Sequence, residues 1–305
     1  LDADYAAALK LEKDPDVEVE VVDGSTGKSF MAWQAKLPRA TLGGVEMSEK
    51  VATVYPYKER DVVGIFGPSS FAGRLVLLEI GKGRLILRDK QPSAMPKRPG
   101  TPYLGTGSGG SLPAIAVELP GLTVPALLDS GNTSPLLLPR ELADKLPLDG
   151  PLKVSGQAHS VGGVQDVYEA RLKGNIRIGP VLLENPLVKF AGIHANVGLP
   201  IIRQLTILLD PAEEKSWIVQ SSALAAVELD AFAGKYGIRA LRAEGSTLIY
   251  QRDGRPSYPL RYMGGDLFSL DETGDLLQFW RDGGRIAGFD LINANGTITP
   301  VPRTP

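Results

Sequence analysis

The feature that most limits what this chain can become is an internal repeat whose period is that of a whole domain. Residues 65–87 lie without a gap on 196–218, an offset of 131. Gly67 then meets Gly198, Phe71 meets Ile202, and Leu77-Leu78-Glu79 meets Leu208-Leu209-Asp210. A second stretch matches at offset 135, where Val19 meets Val154, Ser25 meets Ser160, Gly27 meets Gly162, Trp33 meets Tyr168, Ala35 meets Ala170 and Leu37 meets Leu172. A third, at offset 137, lays residues 1–11 on 138–148. Three matches in one order, with offsets that drift by six (137 − 131), point to a tandem duplication.

The repeat predicts two equivalent units, 1–90 and 112–220, each with enough chain to bury a core. The intervening 91–111 is rich in Pro, Gly and Ser and reads as a surface linker. In the second unit, Ala114 to Leu119 alternates as a strand does, Pro120-Gly121 turns the chain, and Leu122 to Leu128 reads as a buried strand. Pro139 opens a short helix, where its missing N–H costs least. A hairpin follows with Gly162-Gly163 at its tip, then a short helix from Gly198 to Gln204 and a last hairpin. The first unit repeats this order, with Gly24 to Gly27 as its hairpin tip. Residues 228–305 form a third unit, in which Asp253-Gly254, Gly264-Gly265, Thr273-Gly274, Asp282-Gly283-Gly284 and Asn295-Gly296 punctuate short strands. That spacing predicts an antiparallel meander or small barrel, with Phe268, Phe279, Trp280 and Phe289 as its core.

Composition removes several chemistries. The chain has no cysteine and two histidines, His159 and His194. Thiolate catalysis, disulfides and Cys-based metal sites are therefore excluded, and neither histidine has the spacing of a metal motif. Lys+Arg 33 against Asp+Glu 35, with no basic block, leaves no footprint for nucleic acid. No apolar run reaches the roughly 18 residues of a membrane helix. Gly105-x-Gly107-x-x-Gly110 lacks a preceding strand and so is no dinucleotide fingerprint, and Gly27-Lys28-Ser29 has Val22 where a P-loop needs its first glycine. Ser160 beside His159 has no third partner to orient a base. No cofactor and no metal are expected.

Carboxylates remain, and one stands out. Leu127-Leu128-Asp129-Ser130-Gly131-Asn132-Thr133 ends an apolar strand on an ionisable group, followed at once by a hydroxyl and a glycine. Glycine allows the tight turn that brings backbone N–H groups to the carboxylate, and the serine hydroxyl can hold the loop or bond across an interface.

This strand and Asp-Ser-Gly loop, the following helix, the glycine-tipped hairpin, and Val197-Gly198 some 67 residues after Gly131 together resemble one lobe of a retropepsin-like aspartic protease. Two lobes in tandem resemble the pepsin-type arrangement, or the two-lobed bacterial relatives of the retroviral enzymes. The resemblance implies an all-β chain: two tandem lobes over 1–90 and 112–220, and a C-terminal antiparallel meander or barrel over 228–305. It implies that Asp129 is catalytic, that Ser130 locks the loops together, and that Gly131 makes the turn. Asn132 departs from the usual Ala, Ser or Thr. Val161-Gly162-Gly163 lies where the family has its flap, Ser25-Thr26-Gly27 is the matching tip in lobe one, and Val197-Gly198 is the apolar-glycine motif; all are expected to bind substrate. Phe232-Ala233-Gly234-Lys235-Tyr236 opens a unit that looks like the small β-rich domain appended to some bacterial serine hydrolases and peptidases. Peptide or protein is the implied substrate, and a periplasmic or secreted setting the implied compartment.

The mechanism requires two carboxyls sharing a proton, one acting as base on water and the other as acid toward the carbonyl. Offset 137 puts the counterpart of Asp129 at −8 (129 − 137), before Leu1. A second Asp-Thr/Ser-Gly loop is therefore expected upstream of Leu1, in a segment that completes lobe one. Two alternatives stay open: a peptide-binding or structural protein that kept the fold and lost the dyad, and a dimer in which two copies of Asp129 meet.

Overall fold

The computed structural model of the chain describes residues 1–23, 27–37, 39–48, 51–56, 63–105, 112–160, 163–220, 228–264, 266–270, 273, 275–293 and 297–304. Their strands assemble into sheets of three, nine, five, eight and two strands. The fold is mostly β, as the turn spacing and the short apolar runs predict.

The nine-stranded sheet carries the second unit. Its order from one edge is Leu148–Ser160, Gly163–Leu172, Leu187–Phe190, Leu136–Leu138, Ala195–Gly198, Leu122–Asp129, Ala114–Leu119, Asn175–Ile178 and Val181–Glu184. Leu122–Asp129 runs antiparallel to Ala114–Leu119 and parallel to Ala195–Gly198. Pro125 is tolerated in this central strand because the parallel ladder starts one residue later, at Ala126 opposite Ala195. Val117, Leu138, Ile176, Ile178, Phe190 and Val197 are fully buried in the main core. The expected helix after Pro139 is a 3-10 helix, Arg140–Lys145, with Leu142 and Ala143 turned into that core.

A five-stranded sheet draws its strands from both of the expected units. Hairpin Arg74–Glu79 and Arg84–Asp89 meets hairpin Leu205–Asp210 and Lys215–Gln220 through the antiparallel pairing of their first strands. Leu77 lies opposite Leu208, Leu78 opposite Ile207 and Val76 opposite Leu209. The central pair is separated by 131 residues, the offset of the sequence match, and the internal registers agree: Leu77 faces Ile86 and Leu208 faces Trp217. The contact is self-complementary, as a two-fold interface is. Leu75, Leu77, Leu208 and Trp217 bury one face, and Val76, Ile207 and Leu209 turn the other into the main core.

Matched acidic residues end the two facing strands. Asp210 is fully buried and ion-paired with Lys90 at 2.9 Å, while Glu79 is bonded by Lys82 at 2.8 Å and by Arg84. The two cations hold the Glu79 carboxyl below its ordinary range. A depressed carboxylate contributes stability above its unfolded value, about 4.3, and loses it as pH falls through the folded value. Urea unfolding of Glu79→Gln should therefore give lower stability than wild type at pH 7, with the gap closing as pH falls below about 4. An equal gap at pH 7 and pH 3 would contradict the assignment.

Residues 92–102, inside the expected linker, are built into this sheet. Pro92–Ala94 forms a 3-10 turn, Thr101–Pro102 adds an edge strand to Lys215–Gln220, and Trp217 Nε1 donates to the Arg98 carbonyl at 2.9 Å. Gly100 lies flat against the Trp217 ring, where a Cβ would come within 2.6 Å of it. In the first unit, Lys13–Val22, Ser29–Lys36 and Val51–Val54 form a three-stranded sheet beside the short helix Ala3–Ala8.

The C-terminal unit is an eight-stranded antiparallel meander that nearly closes into a barrel. Its last residues return to its first strand, with Thr304 N–H donating to the Lys235 carbonyl at 2.8 Å and Gly237 N–H to Thr304 Oγ1 at 2.9 Å. Phe232, Tyr236, Phe268, Phe279 and Phe289 fill it with edge-on or tilted ring contacts, the favoured aromatic geometries. The buried Tyr236 hydroxyl donates to the Phe232 carbonyl at 2.8 Å, so this polar atom is satisfied.

Candidate active site

Asp129 is the last residue of the central strand Leu122–Asp129, and the chain reverses there through residues 130–135. Leu127 faces Asn196, Leu128 faces Val197 and Asp129 faces Gly198 along the parallel ladder. After the loop, Leu136–Leu138 runs on the opposite side of Ala195–Gly198, with Leu136 against Val197. The strands before and after the loop thus flank one short strand, and the loop has to pass over its end.

That route explains the glycine at 198. A Cβ there would sit 1.9 Å from the Ser134 carbonyl oxygen and 2.6 Å from that of Asn132, both far inside van der Waals contact. With hydrogen in that place the backbones close on each other: Gly198 N–H donates to the Pro135 carbonyl at 3.1 Å and Leu199 N–H to the Asn132 carbonyl at 2.8 Å.

The loop is also braced from within. Gly131 N–H donates to Asp129 Oδ1 at 2.9 Å, and Asn132 N–H to the Asp129 carbonyl at 3.2 Å. Asn132 Oδ1 accepts from Ser134 N–H at 2.9 Å and from Ser134 Oγ at 2.7 Å, an Asx turn, and its Nδ2 reaches the Asn196 carbonyl at 3.4 Å. Asn132, which departs from the small residue common at this position, therefore ties the loop both to itself and to the neighbouring strand. Asp129 is half-buried, with no ion-pair partner among the described residues, and its carboxylate is oriented by the backbone.

The structure brings Asp129, Ser130, Gly131 and Asn132 into one turn, with Ser130 exposed on it. Val197 is fully buried and Gly198 lies under the turn, so this pair meets the loop from below and presents no side chain to a groove. Gly163 pairs with Ser160 at the end of the long hairpin Leu148–Ser160 and Gly163–Leu172. Gly27 has a left-handed φ of 71°, and its α-carbon faces Ile193, whose Cγ2 would lie 3.3 Å from a Cβ there. The first hairpin thus reaches the loop that leads into Ala195–Gly198. Ser25, Thr26, Val161 and Gly162 lie outside the described residues. Sequence reasoning missed Ser134, Pro135, Asn196 and Leu199, of which only the Asn132-x-Ser134 spacing carried a local signal.

An apolar strand delivers Asp-Ser-Gly into a loop locked over a buried glycine, and this is the segment that the family comparison picks out. Residues 115–201 match the aspartyl protease family model. The matched span starts in strand Ala114–Leu119 and ends in the helix Leu199–Ile202, so it takes in both the Asp129 loop and Gly198. A search of curated proteins found no match to the chain. The likeness of this segment to aspartyl proteases is the ground for reading it as a peptidase. No helix among the described residues is long and apolar enough to cross a membrane.

Proposed function

We propose that the protein is an aspartic endopeptidase in which Asp129 shares a proton with a second aspartate and activates water for attack on an amide carbonyl. The observation that carries this reading is the placement of Asp129: end of a central strand, one oxygen fixed by Gly131 N–H, loop locked over Gly198. Two carboxyls are needed because like charges held about 3 Å apart cannot both ionise, so one is kept as the acid while the other acts as base.

In this reading residues 1–90 form a second, related lobe, and the second aspartate is carried by chain that precedes Leu1, at the counterpart of Asp129. Support comes from the facing of Leu77 and Leu208 across the joining sheet and from the surroundings of Leu1. Asp2 N–H donates to the Val63 carbonyl at 2.8 Å, and Gly64 lies against Leu1. Leu1 thus lies beside Val63 and Gly64, just ahead of residues 65–67, which the repeat equates with 196–198. The hairpins Lys13–Val22 with Ser29–Lys36 and Leu148–Ser160 with Gly163–Leu172 act as flaps over an extended peptide, whose backbone pairs with strand edges. An exported setting belongs to the same reading and rests on the family resemblance.

Incubating the full gene product with an unfolded protein substrate, with and without hydroxylamine, tests the mechanism. Direct water attack gives peptide fragments with free carboxyl ends and no hydroxamate. Hydroxamate products would show an acyl-enzyme and overturn the reading, and substrate binding without any cleavage would favour a binder that kept the fold.

A further inference from the structure

The barrel touches the aspartyl protease domain at the helix that follows Gly198. Strand Leu267–Leu270 is buried at all four positions, whereas the barrel strand Thr247–Arg252 alternates over its first four residues. Phe268 and Leu270 face the barrel core, while Leu267 and Leu276 form a separate cluster with Ile292 and Leu199. Register places these barrel residues on one outer face, since Ser269 is opposite Leu276, and Leu276 is opposite Ile292.

Leu199 is the first residue of the helix Leu199–Ile202, and its N–H is the donor to the Asn132 carbonyl. A helix of four residues cannot hold itself in water and takes its position from what packs on it. Ile201 and Ile202 are fixed by the main core, and Leu199 is the residue that meets the barrel. At the other end of the helix, Arg203 lies close enough to Tyr262 of the barrel to interact electrostatically with it. Strand Ser257–Gly264 also contacts the turn Ile80–Lys82, so the barrel spans the seam between the two facing hairpins.

We propose that the C-terminal barrel is a positioning element for the Asp129 loop, acting through Leu267, Leu276 and Ile292 on Leu199 and from there through the Leu199 N–H bond to Asn132. The inference rests on the reading of Asp129 as catalytic for its effect on turnover, but not for its effect on the loop. Leu276→Ser tests it, since Leu276 lies outside the barrel's aromatic core. Amide hydrogen exchange should quicken roughly 10-fold at Leu199 and across 130–134, with barrel strands Arg239–Glu244 and Thr247–Arg252 still protected. Leu276→Met should restore slow exchange. In the peptidase assay Leu276→Ser should lower kcat and leave KM near wild type.

Unchanged exchange at Leu199 and 130–134 in Leu276→Ser would overturn the proposal. If the substitution unfolds the barrel, exchange at the same amides still decides, because the proposal then expects an increase at least as large. Faster loop exchange in a protein without hydrolytic activity would leave the positioning role standing and remove the catalytic reading. Normal hydrolysis with neither exchange nor kcat altered would remove the positioning role alone.

Discussion

Replacing Asp129 by Asn is expected to lower kcat/KM for peptide hydrolysis by roughly 10⁴-fold, the upper end of what a general acid–base group contributes. That loss corresponds to about 5 kcal/mol of transition-state stabilisation. Asn is the informative substitution because its side-chain oxygen can still accept the Gly131 N–H bond that Asp129 Oδ1 accepts at 2.9 Å. The loop should keep its shape and the unfolding free energy should stay within about 1 kcal/mol of wild type, so lost activity reports lost proton transfer. Peptide cleavage and urea unfolding of the same preparation give the two readouts. Hydrolysis that survives in Asp129→Asn would exclude the aspartic mechanism. Asp129→Ala is a poorer probe, since it removes the loop's acceptor together with the acid.

Gly198→Ala should cost roughly 3 kcal/mol or more of stability, at the top of the range for overpacking a closed site. The added methyl would lie 1.9 Å from the Ser134 carbonyl oxygen, which is main chain and cannot swing aside as a side-chain tip can. Relief requires parting the loop from the strand end, which breaks Gly198 N–H to Pro135 and Leu199 N–H to Asn132 together. Gly73→Ala is the control, because a Cβ at Gly73 meets nothing within 4 Å and its φ is not left-handed; its change should stay within about 0.5 kcal/mol. Equal unfolding midpoints for the two variants would refute the steric account.

Much of the architecture was legible because its signals are local or periodic. Turn dipeptides at about ten-residue spacing marked the barrel strands, whereas the pairing of Leu77 with Leu208 across the joining sheet is a tertiary result. The linker reading saw Pro and Gly, and could not see that Gly100 is small because the Trp217 ring covers it. Asn132 looked like a departure from a pattern, and only its bonds to Ser134 and Asn196 show how the loop uses an amide there. That the Val197 side chain is fully buried and Gly198 lies under the Asp129 loop could not be read from an apolar-glycine pair in sequence.

The sequence by itself narrowed the kinds of chemistry available and marked the short strands of a mostly β chain. With no cysteine, two unsupported histidines and one Asp-Ser-Gly at the end of an apolar run, the sequence directed attention to a carboxylate. Tertiary structure alone decided what holds that carboxylate. Residues 129, 134 and 198 are brought within contact by strand order, and the barrel meets Leu199 from some seventy residues along the chain (267 − 199 = 68). Local propensity acts over a few residues, whereas these contacts depend on which backbone passes over which, and that is settled only when the sheets close on their cores.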